Sequence, residues 1–134
     1  MLRVILASRE MEGLARFAAG LQQDRQTEMT RVDSAAAALD VIGQGQIDLV
    51  VVGEELADAS PVECVNQLVR LNPMINCAMV SGMDHDAFHK ATEGLGILMQ
   101  LPPSPSGEDA RALLAKVEAI GMQLGGYAGA GVEK

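Results

Sequence analysis

The sequence predicts a three-layer, doubly wound α/β fold: a five-stranded parallel sheet in order 2-1-3-4-5, covered by helices on both faces. Two observations carry this. Short branched apolar runs alternate with helical patterns five times along the chain, and the first and third runs are apolar at nearly every position. A strand hydrophobic at successive positions must be covered on both sides, and strand–helix repeats with short links close into parallel sheets by right-handed crossovers. Helices 1 and 5 are then expected on one face, and helices 2, 3 and 4 on the other.

Leu2-Arg3-Val4-Ile5-Leu6-Ala7 is the first strand, and Ser8 stands where the cap of helix 1 belongs. Met11, Leu14, Ala15, Ala18 and Leu21 follow at helical spacing. Thr27 to Val32 is half polar and suits a sheet edge. Ser34 caps a second helix with Ala35, Ala38, Leu39 and Ile42 inward, ending at Gly43-Gln44-Gly45. Ile47 to Val52 is the third strand and stops at Gly53. Ser60-Pro61-Val62-Glu63 forms a capping box with proline at the first helical position, and Val62, Val65, Leu68 and Val69 face inward until Asn72-Pro73. Ile75 to Val80 is the fourth strand. Asp84 caps a short fourth helix that closes at Gly94, and Ile97 to Leu101 is the fifth strand. Pro102-Pro103-Ser104-Pro105 stiffens the next loop. Ser106 caps the last helix, striped by Ala110, Leu113, Leu114, Val117 and Leu124. Residues 125–134 carry four glycines and little to bury, which reads as a flexible Gly-rich C-terminal tail behind a domain spanning residues 1–124.

The 134 residues suffice for one core. Ten Lys+Arg against eighteen Asp+Glu give a net charge of -8, which repels a phosphate backbone, and 2% aromatic content offers no stacking platform for bases. No nucleic-acid partner is expected. No apolar run approaches the ~20 residues that span a bilayer, and MLRVILASRE lacks the long apolar segment of a signal peptide. A cytoplasmic protein without membrane contact is the expectation, with Cys64 and Cys77 reduced and buried.

Several segments resemble the receiver domain of bacterial two-component response regulators, over about residues 1 to 124. Asp33-Ser34-Ala35-Ala36-Ala37-Ala38-Leu39 is similar to the opening of that family's second helix, and Ile47 to Val52 to the strand leading to its phosphoacceptor. Ser81 falls at its Ser/Thr position after strand four, Gly94 at the glycine before strand five, and Pro102 at the proline after it. The resemblance implies a flavodoxin-like receiver fold. It also implies a pocket in which an aspartate takes a phosphoryl group, acidic residues hold Mg²⁺, and a lysine pairs with the product. Those positions fall here on Gly53 for the nucleophile, Ser8 and Arg9 for the acidic pair, and Leu101 for the lysine, leaving Ser81 alone intact. Glu10, Glu54 and Glu55 lie beside the lost positions. The family's aromatic switch position is Leu98.

The remaining motifs carry little chemistry. His85 and His89 stand at i and i+4, as a zinc pair would, but at the start of a short helix with no third ligand at motif spacing; solvated surface histidines are expected. Gly94-Leu95-Gly96 lacks the third glycine of a dinucleotide loop and precedes a strand. Met1, Met11, Met29, Met74, Met79, Met83, Met99 and Met122 are expected mostly as core fillers, with Met83 and Met99 candidates for a soft surface patch near helix 4. No cofactor or metal motif and no nucleophile arrangement appears, so no enzyme is expected.

The leading expectation is a degenerate receiver-like domain, an interaction module in signal transduction that works without aspartyl phosphorylation. A protein partner or a second copy of the chain would meet the face of helix 4, strand 5 and helix 5, through Phe88, Ala91, Leu95, Leu98 and Pro102. The alternative is a small-anion or small-ligand sensor using the emptied pocket through Ser8, Arg9, Ser81, Gly82 and nearby amides. A conventional phosphorylated regulator is the third.

Overall fold

The computed structural model describes residues 2–23 and 27–123. Strands β1 (Leu2–Ala7), β2 (Thr27–Val32), β3 (Leu49–Val52), β4 (Asn76–Val80) and β5 (Met99–Leu101) form one sheet. Every adjacent pair is parallel, in order β2-β1-β3-β4-β5. Helices α1 (Ala15–Gln23), α2 (Ala35–Gln44), α3 (Pro61–Leu71), α4 (His85–Ala91) and α5 (Gly107–Gln123) alternate with them. The predicted strand order is the one observed. The third, fourth and fifth strands begin one or two residues later than their apolar runs, because Ile47, Ile75 and Ile97 pack against the core before the ladder starts.

Strand alternation divides the core in two, since successive side chains leave opposite faces of the sheet. Val4, Leu6, Leu49, Val51, Ala78 and Val80 pack with Phe17, Leu21, Leu113 and Val117 of α1 and α5. Ile5, Ala7, Val50, Val52, Cys77 and Met79 pack with α2, α3 and α4 through Ala38, Ile42, Cys64, Leu68 and Phe88. The layers are those expected. β2, with every residue exposed or only half-buried, lies at one edge.

Four predicted caps are present. Ser34 Oγ accepts from Ala37 N, the Ser60–Glu63 box closes both ways, Asp84 accepts from Ala87 N, and Ser106 Oγ accepts from Asp109 N. The Ser8 cap is not. The chain runs through a 3-10 turn at Glu12–Leu14 before α1, and the Glu10 carboxylate accepts from Gly13 N instead. This delay rotates the helix: Ala15 is exposed and Phe17 is fully buried. Gly20 of α1 lies against α5 so closely that a Cβ there would stand 2.8 Å from Gly107 Cα.

Met74, expected as a core filler, is 79% exposed; of the two candidates for a surface patch, Met83 is 51% exposed whereas Met99, like Met11 and Met29, packs against the core, and Met79 is buried. Met1, Leu124 and the tail assigned to residues 125–134 lie outside the described residues, as does the side chain of Met122. Among those described, no helix is long and apolar enough to cross a membrane.

Candidate functional site at the strand ends

Parallel sheets of this kind gather their sites beyond the carboxyl ends of the strands, at the switch in strand order. Here that switch lies between β1 and β3, whose register pairs Ala7 with Val52. The residues that follow, Ser8 and Gly53, are therefore brought face to face. Gly53 N–H donates to Ala7 O at 2.8 Å, and Ser8 N–H to Val32 O at 2.9 Å. Ser8 is only 3% exposed, and its hydroxyl donates to Glu10 O and accepts from Glu10 N. A Cβ built on Gly53 would meet Ser8 Oγ at 2.6 Å and Ser8 Cβ at 2.7 Å, distances that real side chains do not show. The serine thus fills the direction a side chain at position 53 would take.

Around this contact is an open cleft of about 430 Å³ walled by Ser8, Glu10, Gly13, Gly53, Glu54, Glu55 and the Pro103-Ser104 loop. Three of its walls are glutamates. Ser104 adopts φ +52, an unusual left-handed backbone for a non-glycine residue. No set of three or more His, Cys, Asp or Glu among the described residues is arranged to hold a metal ion.

The other predicted pocket residues are dispersed. Arg9 is exposed, and its backbone N–H donates to Glu55 O at 2.8 Å; its side chain does not wall the cleft. Leu101 is fully buried among α1 and α5 side chains, in the same core as Leu14 and Val80, which line the cleft, but it does not itself wall the cleft. Ser81 is half-buried, its hydroxyl accepts from Met83 N, and it walls a neighbouring groove instead. That groove, of about 500 Å³, runs between α3 and α4 past Pro61, Val62, Met79, Met83 and Phe88. It shares Glu54 and Val80 with the cleft. Glu54 bridges the two, accepting from Gly82 N at 3.2 Å.

The predicted interface residues also separate. Phe88 is a correction: at 7% exposed it belongs to the α2–α3–α4 core, since the one aromatic of a short helix is what anchors it to the sheet. Ala91 and Pro102 are exposed. Leu95 and Leu98 are half-buried and pack against the two cores from the turn that leads to β5. Gly94 and Gly96 in that turn adopt φ +85 and +67. His85 and His89 lie exposed on α4, ring centroids 6.3 Å apart.

Sequence reasoning missed Asp58. Its carboxylate takes the N–H groups of Ala35 at 2.8 Å and Ala36 at 3.1 Å, tying the β3–α3 loop to the start of α2. Those two amides hold its pKa below the ordinary carboxylate value. No local signal marks a cap supplied from a loop so distant in sequence. Cys64 and Cys77 are free and buried as expected, and burial pushes their thiols up to about 11 and about 12.

No family model matches the chain, and no curated protein matches it. Solved structures do. The chain is similar to a response regulator receiver domain protein (CheY-like) from Methanospirillum hungatei, with TM-score 0.78, 15% identity and coverage of 92% of this chain and 98% of that one. A signal receiver domain of an HD domain-containing protein from Pseudomonas fluorescens aligns at TM-score 0.76 and 14% identity, covering 91% and 98%. A candidate pilus assembly protein (cpaE) from Burkholderia thailandensis aligns at TM-score 0.71 and 20% identity, covering 89% and 99%. Strand order, helix layers and these neighbours agree: the chain has the CheY-like, flavodoxin-like fold of response regulator receiver domains.

Proposed function

We propose that this chain is a receiver-like domain that acts as a protein-interaction module in signal transduction, without enzymatic activity and without aspartyl phosphorylation. The observation that carries the reading is the Ser8–Gly53 contact. The position corresponding to the phosphoacceptor has neither a side chain nor room for one. Leu101, at the position corresponding to the lysine, is fully buried in the core of α1 and α5 and offers no cation. A phosphoryl transfer needs a nucleophile, a metal and a counter-charge in one place, and the positions corresponding to the nucleophile and the counter-charge, Gly53 and Leu101, have no group to supply here. The fold is shared with receiver proteins of signalling pathways and, by description, with a candidate pilus assembly protein, so the scaffold is not tied to one output.

The sensor alternative requires an anion where Glu10, Glu54 and Glu55 stand and Arg9 turns away, so like charge opposes it. The proposed contact face is Ala91, Leu95, Leu98 and Pro102, with α5 beside them; partner binding or self-association there is part of the proposal, as is a cytoplasmic location. Intact-mass spectra before and after acetyl phosphate with Mg²⁺ test the first half, with no added phosphoryl mass expected. A base-labile adduct refutes it. Sedimentation of the wild type and of Leu98→Asp across concentration tests the second. A protein monomeric at high concentration, and without partner capture that L98D abolishes, refutes the face.

A further inference from the structure

We propose that the α3–α4 groove, together with the acidic cleft it meets at Glu54, docks a partner segment that presents an apolar side chain next to a lysine or arginine. The proposal rests on the interaction-module reading and adds the chemistry of what is bound. The groove's volume of about 500 Å³ lies in the range that holds a compact ligand or a few side chains. Its walls are Val62, Met79 and Phe88, and Met83 stands over it 51% exposed, a flexible apolar side chain of the kind that conforms to varied partners. An apolar occupant alone would not be specified, because nothing in such walls selects its neighbours. The charge does. Glu54 walls both depressions, and Glu10 and Glu55 stand with it around the cleft.

Among the described residues, these carboxylates form no salt bridge. The one salt bridge among the described residues, Arg3 to Glu28 at 3.2 Å, joins the paired strands β1 and β2 near the opposite end of the sheet. Among the described residues the Glu10 carboxylate accepts from the backbone amide of Gly13 and the Glu54 carboxylate from that of Gly82. Three unneutralised carboxylates around one cleft attract a cation at long range, and the groove beside them buries the apolar group that gives the contact its lifetime. An anionic or purely apolar segment satisfies only half of this surface.

The probe is an eight-residue peptide of alternating leucine and lysine, titrated into the full chain labelled at backbone nitrogen and methionine methyls. Leucine–glutamate and serine–lysine peptides of the same length are the comparisons. Shifts concentrated on Met79, Gly82 and Met83, with the leucine–lysine peptide alone, are expected. Removing three exposed charge pairings with E10Q/E54Q/E55Q, which keeps the amide acceptors, weakens binding on the order of tenfold. D40N/E93Q/E108Q changes net charge equally at other exposed sites and leaves binding within about twofold. Met83→Ser, at an exposed position that folding does not need, weakens binding several-fold through the apolar half. Equal binding of the glutamate or serine peptide, equal loss in both charge variants, or no shift at millimolar peptide overturns the proposal. Shifts confined to Leu95 and Leu98 overturn it while leaving the interaction-module reading intact. A phosphoryl adduct removes that reading whatever the peptide does.

Discussion

Gly53→Ala is the sharpest test of the closed pocket, because two effects of opposite sign meet there. The backbone of Gly53 is not left-handed, so alanine fits its conformation and, by restricting the unfolded chain, should stabilise by about 0.4–1 kcal/mol. Against this, the new methyl would sit 2.6 Å from Ser8 Oγ and 2.7 Å from Ser8 Cβ. Cβ atoms cannot rotate away, so β1 and β3 must separate by several tenths of an ångström in a sheet buried on both faces; overpacking of this kind costs roughly 1–3 kcal/mol. The steric term wins, and G53A should lower the unfolding free energy by about 1–2 kcal/mol, or Tm by roughly 3–8 °C for a chain of this size. Serine 8 is the cause only if removing it removes the penalty. In the S8G background the same G53A change should be neutral or stabilising, a coupling of at least about 1 kcal/mol across the double-mutant cycle. Urea denaturation of the four proteins measures it. G53A as stable as wild type, or equally destabilising in both backgrounds, would refute the steric argument.

Gly20→Ala places a methyl 2.8 Å from Gly107 Cα; the clash should exceed the ~1 kcal/mol helix-propensity gain, giving a net loss of stability in urea. The thiols of Cys64 and Cys77 are raised to about 11 and about 12 by burial, while the unfolded chain ionises near 9. Stability is therefore complete below pH 9 and declines as pH rises towards the folded values, by up to ~1.4 kcal/mol per unit per thiol. Unfolding curves from pH 8 to 11 check this, and a Cys64→Ala, Cys77→Ala protein should show a flatter decline. Asp58 has the opposite sign: its pKa is lowered by the Ala35 and Ala36 amides, so its contribution is present above the ordinary carboxylate value and lost as pH falls through the folded one. Asp58→Asn should speed hydrogen exchange at Ala35 and Ala36; unchanged protection would show that the α2 terminus does not depend on this clamp.

What the amino-acid sequence determined by itself were the features set by neighbours a few residues apart. A buried parallel strand needs apolar side chains at consecutive positions, and β1 and β3 show it. A helix start needs an acceptor for amides two or three residues on, and Ser34, Ser60, Asp84 and Ser106 are such acceptors. From these the layer order followed, since handedness and short connections leave few other arrangements. Tertiary structure decided what depends on register and rotation. Ser8 passes for a helix cap until the β1–β3 ladder sets it against Gly53, 45 positions away in the chain. Leu101 holds a pocket position by the resemblance, yet packing against α1 and α5 buries it completely, and Phe88 looks available on an amphipathic helix until the sheet claims it. Glu10, Glu54 and Glu55 are separate acidic residues in the sequence and one acidic wall in the fold. Hydrogen bonds at caps are short-range and carry local signals, whereas a contact between the ends of two strands exists only once the sheet has fixed which residues stand opposite each other.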